Sequence, residues 1–352
     1  MIKISTPGRI CLFGEHQDYL GLPVISMAIS KRCSIRGSKN NTNQVTIKKP
    51  DINQIEKFSL LNLEYTKKRD YFKSGLRACL NKGLIFNSGI ECEIRSEIPI
   101  QAGISSSSAI MVSWIHFLSK IAENPPNWSK EELGKLAYKA EVKEFSEPGG
   151  MMDQISTAVG NLIYLDTHPI PKIKYINLNL GYFVIGDSQH PKETISILKK
   201  CRELRLSVIN KMKINNPDFN LNSISIQDLE KYNLSNTEFN LIFGTIKNRN
   251  FLQSAKQELN NINFNKNKIG FLLNQHHKIL RDTLDISTPK IERLINVSLN
   301  AGALGAKING SGGGGCMIAY VPENPEIVLE AINKSGGKGY IVKSDIGTIQ
   351  EN

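Results

Sequence analysis

Four consecutive serines, Ser105, Ser106, Ser107 and Ser108, interrupt a passage whose two flanks both have the pattern of buried elements. Before them, GIECEIRSEIPI (89–100) alternates Ile90, Cys92 and Ile94 against Glu91, Glu93 and Arg95, the period-two pattern of a half-buried strand. After them, SSAIMVSWIHFLSKIA (107–122) carries apolar residues round most of its circumference and reads as a helix inside a core. A strand, a Gly/Ser turn and a buried helix in succession leave the first N–H groups of the helix unpartnered, at the positive end of its dipole. That is an anion site in outline. Gly103 allows a ligand close to the backbone, and serine hydroxyls add donors without bulk, or a ligand for Mg2+ when a phosphate is present. Capping a helix needs one serine, so four exceed that need. No lysine follows, so the tract is not the P-loop G-x-x-x-x-G-K-[ST].

With 352 residues, 40% of them hydrophobic, the chain can bury a full core and has the length of about two domains. WSKEELGKLAYKAEVKEF (128–145) opens with Ser129 and Glu132 as a capping box and is expected to be helical. Pro and Gly signals after GNLIYLDTHPIPK suggest a boundary near residues 168 to 180. Beyond it, 190–213, 238–260, 265–283 and 288–300 have helical character, the Asn-rich segment 214–224 reads as a solvated loop, and GYIVKSD alternates as a strand. There is no internal repeat. No apolar run approaches the roughly 18 to 20 residues of a membrane span. The N-terminus, interrupted by Arg9 and Glu15, lacks a continuous signal-peptide region. The six cysteines are dispersed without C-x-x-C or Cys/His spacing, as expected of reduced thiols in a cytoplasmic protein. Adjacent His276 and His277 point different ways on a helix and do not suggest a metal site. The formal charge of +11 is scattered, with no block of five or six like charges; neither nucleic acid nor membrane is expected as a partner, while a small anionic ligand suits the balance.

Two further stretches, TPGRICLFGEHQDYLGLPVISMAI (6–29) and GAKINGSGGGGCMIAY (305–320), lie on either side of IPIQAGISSSSA (98–109). In this order the three resemble the three motifs of the GHMP small-molecule kinases (galactokinase, homoserine kinase, mevalonate kinase, phosphomevalonate kinase), and the likeness covers nearly the whole chain. Within that family PGRICLFGEHQDYLG is most similar to the galactokinase signature G-R-x-N-L-I-G-E-H-x-D-Y. AEVKEFSEPGGMMDQISTAVG (140–160) resembles the galactokinase segment that carries the catalytic aspartate, and HHKILRDTLDISTPKIERLI (276–295) its later His-x-x-Leu-Arg-Asp segment. There are departures. Cys11 stands where the signature has Asn, little chain precedes the motif, and no tyrosine-bearing sugar segment follows GYFVIGDSQHPK. They leave the identity of the sugar open.

The resemblance implies an α+β fold of two domains: a ribosomal protein S5 domain 2-like N-terminal domain over residues 1–172 and a ferredoxin-like α/β sandwich over 173–352. It implies ATP-dependent phosphorylation of a monosaccharide, galactose at its anomeric hydroxyl first, to give galactose 1-phosphate. Mevalonate, an N-acetylhexosamine, arabinose or a uronic acid are alternative acceptors, and a catalytically silent sugar sensor is the alternative of another class. By motif position Asp153 is the proton acceptor and Arg9 the cation beside it. Glu15, His16 and Asp18, with Asp153, would meet the acceptor, although His16 is equally readable as a satisfied core histidine, and Tyr19 as packing. Gly103 and Ser105 to Ser108 would hold ATP, joined by Gly312 and Gly313 from a loop, Gly310 and Gly312 to Gly315, that closes the site from the second domain. Ser107 and Glu141, the latter twelve residues before Asp153, would ligate Mg2+. Two carboxylates, Glu15 and Asp18, beside the acceptor would favour a neutral sugar over an anion. The expected protein is a monomer or homodimer.

Overall fold

The computed structural model describes residues 1–99, 102–190 and 194–351. In chain order the first half is β1 (Ile2–Phe13), β2 (Val24–Lys39), β3 (Gln44–Lys49), β4 (Gln54–Ser59), α1 (Tyr71–Leu80), β5 (Ile90–Ser96), α2 (Ser106–Ile121), α3 (Lys130–Tyr138), α4 (Met152–Val159), β6 (Leu162–Asp166) and β7 (Lys172–Tyr175). The second is β8 (Phe183–Asp187), α5 (Thr194–Asn215), α6 (Asn236–Leu259), α7 (Lys266–Asp282), α8 (Pro289–Asn300), β9 (Gly305–Asn309), β10 (Cys316–Tyr320), α9 (Pro325–Lys334), β11 (Lys338–Val342) and β12 (Ile349–Glu351). This is the two-domain α+β fold that the motifs imply.

One sheet runs β12-β1-β2-β5-β3-β4, with β6 on β2 and β7 on β6; the other runs β11-β8-β10-β9. The long β2 changes partner along its length: Val24–Met27 pair with β6 and Cys33–Lys39 with β5. The chain stays in the first sheet through Tyr175 and returns to it in β12, which pairs only Lys3–Ser5 of β1. A division at 172/173 therefore falls at the start of β7 and leaves β12 on the far side of the cut. Past Ser5 the outer edge of β1 has no strand beside it among the described residues, and other elements dock there.

The three largest of five apolar clusters among the described residues organise the packing. One lies between the first sheet and α1, α2 and α3, around Trp114 and Phe117. A second belongs to both halves: Ile10, Leu12, Phe13 and Ile25 meet Phe183, Ile185, Leu252, Leu273, Ile318 and Tyr320. A third sits between the second sheet and α8 and α9. All six cysteines are buried free thiols. Among the described residues no helix is long and apolar enough to cross a membrane.

The expected elements differ from the observed ones at instructive places. The strand of 89–100 ends at Ser96, and its last expected residue, Ile100, lies with Gln101 outside the described residues, as do 191–193 of the helix expected over 190–213. The capping box of Ser129 and Glu132 forms, but α3 stops at Tyr138 and continues as a π-helical turn over Lys139–Lys143. The Asn-rich loop is not simply solvated: Phe219, Leu221 and Ile224 are buried in a local cluster while asparagine side chains shape its turns.

Candidate active site

The serine tract caps nothing. Gly103 and Ser105 both take left-handed backbone, at φ of 85° and 63°, and Ser105 occupies the N-cap of α2 without a side-chain bond to the helix. The first N–H groups of α2 therefore have no side-chain cap, at the positive end of the dipole, which is the phosphate-loop geometry expected of a strand, a Gly/Ser turn and a buried helix. Two glycines let other segments reach this loop. A β carbon on Gly8 would stand 2.8 Å from the Ile104 carbonyl, and one on Gly310 would stand 2.7 Å from that of Gly103. Of the glycines expected in the closing loop, the structure sets Gly310 and not Gly312 or Gly313 against the serine loop. Gly310 faces the loop, whereas added carbons at Gly312 and Gly313 would meet Ile286 and Ile197.

A cavity of about 460 Å3 opens here, lined by Arg9, Glu15, His16, Asp18, Ser105, Ser106, Ser107, Ser108, Glu141 and Asp153. Pro7-Gly8 does not make a turn. Arg9 lies inside β1, 3% exposed, just past a shift of the β1–β2 register between Pro7 and Gly8. Its Nε donates to Asp153 Oδ1 at 2.8 Å, its Nη2 lies 2.7 Å from the same oxygen in the ion pair, and Nη1 donates to the Gly103 carbonyl at 2.6 Å. Asp153, in the first turn of α4, keeps about a third of its side chain exposed to the cavity. Asp18 accepts the Met152 N–H at 3.2 Å, and Gly150 is needed beside it, since a β carbon there would overlap Asp18 Oδ2 at 2.0 Å. Burial pushes the Asp18 carboxyl up to about 6, helped by the charge of Asp153 and opposed by the Met152 N–H.

Glu141 sits on the π-helical turn, 4% exposed. Such turns recur at functional positions because they project a side chain out of helical register. Its Oε2 accepts from Gln154 Nε2 at 2.7 Å, and the Ser107 and Ser108 hydroxyls bond to it, yet burial still raises it to about 6. Gln154, which no motif singled out although it adjoins Asp153, bridges Glu141 to Ser108 at 3.2 Å. Gln154 Oε1 and Ser105 Oγ are buried with no partner among the described residues. Among the described residues no three His, Cys, Asp or Glu side chains gather as a metal cage. One buried carboxylate and two hydroxyls make a small, all-oxygen donor set beside the uncapped N–H groups of α2. That fits a hard divalent cation whose remaining ligands are phosphates and water.

At the other end of the signature the structure departs from expectation. Glu15 does not offer a free charge. Its Oε2 is 2.7 Å from Nζ of Lys307, with side chains 2% and 0% exposed. Of the two charges expected to repel an anionic acceptor, Glu15 and Asp18, the first is therefore already balanced. His16, at φ 60°, has both ring nitrogens engaged: Nδ1 with Tyr19 Oη at 2.8 Å and Nε2 with the Ser311 carbonyl at 3.2 Å. Tyr19 does more than pack, since Arg205 of α5 donates to its hydroxyl. With Arg205 donating, the Tyr19 proton goes to His16 Nδ1, which leaves Nε2–H to donate to Ser311. His276 and His277 part company as expected, toward the Leu12 carbonyl and toward Glu292.

No base-binding residue is legible in the sequence. The cavity continues between Tyr71, Phe72, Met111 and Trp114, an apolar slot whose mouth is held by Arg69 on Glu147 at 2.5 and 2.7 Å.

The chain is similar to known proteins along most of its length. Residues 2–39 match the galactokinase galactose-binding signature, 70–161 the GHMP kinases N terminal domain and 255–338 the GHMP kinases C terminal model. A mevalonate kinase of Pyrococcus abyssi is 27% identical over 97% of this chain and 95% of its own. A galactokinase of Clostridium tetani is 28% identical over 92% of this chain and 85% of its own. The crystal structure of Lactococcus lactis galactokinase complexed with galactose superposes with a TM-score of 0.87 at 23% identity, covering 99% and 94% of the two chains.

Proposed function

The chain belongs to the GHMP kinases, and from that premise we propose that it transfers the γ-phosphoryl group of ATP, with Mg2+, to a monosaccharide hydroxyl, galactose at its anomeric position first among them. The observation that carries the reading is the pairing of Arg9 with Asp153 beside an uncapped helix N-terminus. It sits within a chain that matches the galactose-binding signature over residues 2–39.

In this reading the triphosphate lies on the N–H groups of Ser106, Ser107 and Ser108 with its base in the slot of Tyr71 and Trp114. Gly310 closes over the loop. Mg2+, when bound, neutralises phosphate charge that would otherwise repel the incoming hydroxyl. Glu141 and Ser107 would hold it. Gln154 holds Glu141 in position through a 2.7 Å bond. Asp153 receives the acceptor proton, and Arg9 stabilises its charge and the developing charge of transfer. Asp18, with the glycine pair Gly149-Gly150 opposite, forms the acceptor wall together with Glu15, while His16 ties that wall to Ser311. The division of labour follows the two sheets: the first, from β1 through β7 with β12, bears the chemistry, and the second supplies the closing loop and the brace beneath Glu15.

Mevalonate is a second reading, favoured by relatives 27% identical over 97% of the chain and by the Lys307 charge that offsets Glu15. ADP release measured with ATP and a panel of neutral sugars, a uronic acid and mevalonate separates the two. Turnover of mevalonate with none of any neutral sugar would overturn the galactose assignment.

A further inference from the structure

The acceptor end of the cavity rests on a strand that carries none of the transfer chemistry. β9 places Lys307 and Asn309 two residues apart on one face, and both side chains leave the second sheet for the first, fully buried. There they take the two backbone groups of Cys11: Asn309 Oδ1 accepts its N–H at 2.8 Å and Lys307 Nζ donates to its carbonyl at 2.9 Å. The bare edge of β1 explains why. β12 covers only Lys3–Ser5, so the buried polar groups farther along need partners from elsewhere. Each side chain then reaches one step further. Asn309 Nδ2 donates to the Gly103 carbonyl at 2.9 Å, and Lys307 Nζ to Glu15 Oε2 at 2.7 Å.

For bracing a backbone, the neutral amide of Asn309 is enough. A fully buried ammonium is costly unless it serves a charge, because desolvating it has no compensation from amide dipoles alone. The charge served here is Glu15, which lines the cavity. A carboxylate can accept from two neighbouring hydroxyls at once, but only if it is held as a carboxylate and kept from turning.

We propose that Lys307 is a specificity-determining positioning residue: from the second sheet it fixes the Glu15 carboxylate against the acceptor cavity, so that Glu15 supplies hydrogen-bond acceptors to vicinal hydroxyls without adding net charge. This rests on the reading of the cavity as a kinase site for a polyhydroxylated acceptor. Acceptor recognition then belongs to both halves of the chain, whereas nucleotide binding belongs to the first half and Gly310.

Four proteins test it: wild type, Lys307→Met, Glu15→Gln and the double variant, each assayed with ATP and with whichever panel acceptor the wild type turns over best. Lys307→Met should raise the acceptor KM on the order of 10-fold or more, as when a site built for hydroxyls loses an acceptor, while the ATP KM moves less than about 3-fold. Because Lys307 acts through Glu15, the double variant should be no worse than the poorer single one. If Lys307→Met does not fold, Glu15→Gln against the double variant decides: neither leaves a lone buried carboxylate, the ammonium left in Glu15→Gln keeps the Cys11 carbonyl, and among folded protein the acceptor KM should differ less than about 3-fold between them. Equal losses for ATP and acceptor, or a double variant whose loss is the product of the singles, overturns the proposal. A wild type that turns over no panel member overturns the functional reading instead, a result distinct from any split among the variants.

Discussion

Arg9 holds Asp153 by one oxygen. Nε and Nη2 both converge on Oδ1, at 2.8 and 2.7 Å, and no bond from Arg9 reaches Oδ2. A fork-to-fork pair would have occupied both oxygens; this one leaves Oδ2 available to take a proton. Asp153→Asn keeps the shape and removes the basicity, so turnover should fall on the order of 100-fold or more with ATP affinity retained. Single-turnover rates and calorimetric ATP binding check it. Unchanged turnover in the folded variant removes Asp153 from proton transfer.

Gly310 and Gly103 make the second prediction. Alanine at 310 is strained at φ 80° and sets a methyl 2.7 Å from a carbonyl that already accepts from Arg9 and Asn309. The phosphate loop must move, and ATP binding should weaken on the order of 10-fold or more. Gly312→Ala meets Ile286 instead and should be read mainly in thermal stability. Equal ATP affinities in the two variants would show that the loop contact is incidental.

The raised carboxyls give a pH signature. Glu141 is pushed from 4.5 to about 6, so between those values the folded protein binds more protons than the unfolded chain. Stability of the protein without metal or nucleotide therefore falls as pH rises through that window, and the cost is fully present above it. Glu141→Gln should stabilise at pH 8 by on the order of 2 kcal/mol and by nothing at pH 4, while raising the Mg2+ needed for turnover. Asp18→Asn should act in the same direction by less, since Asp18 is only half-buried and water offsets part of its cost. Melting temperatures across pH in a chelator decide the matter; a gain at pH 4 equal to that at pH 8 would count against burial as the cause.

Tyr19→Phe removes the oxygen between Arg205 and His16. It takes the acceptor from Nη2 of an Arg205 that is 1% exposed, although Nε keeps the Cys201 carbonyl, and it breaks the bond to His16 Nδ1, so stability should drop by about 1–3 kcal/mol. The acceptor KM should rise as His16 loses its orientation, with the ATP KM little changed. A variant as stable as wild type would mean that the chain of bonds from α5 to Ser311 does not hold the acceptor wall.

Much of the fold and of the site is legible in the sequence, and what is legible separates local from distant causes. The capping box at Ser129 forms because all its parts lie within four residues. The serine tract reads as a phosphate loop because strand, turn and helix adjoin. Arg9 and Asp153, 144 residues apart, are brought together by motif likeness alone, since no periodicity relates them. Lys307 is invisible as the partner of Glu15, 292 residues away, because a lysine in a strand pattern ordinarily signals solvent. Glycine density locates the closing loop but does not say that Gly310, rather than Gly312 or Gly313, meets the phosphate loop. That depends on which backbone carbonyl lies opposite.

The apolar cluster that joins Leu12 and Phe13 to Phe183, Leu273 and Tyr320 has a thermodynamic consequence. Lobes joined by a linker melt separately, whereas lobes that own one core between them cannot part without wetting it. Calorimetry should therefore record one cooperative transition for the whole chain, its calorimetric and van't Hoff enthalpies in agreement. Access to the cleft is then a matter of loops rising around a fixed body, not of two jaws swinging apart.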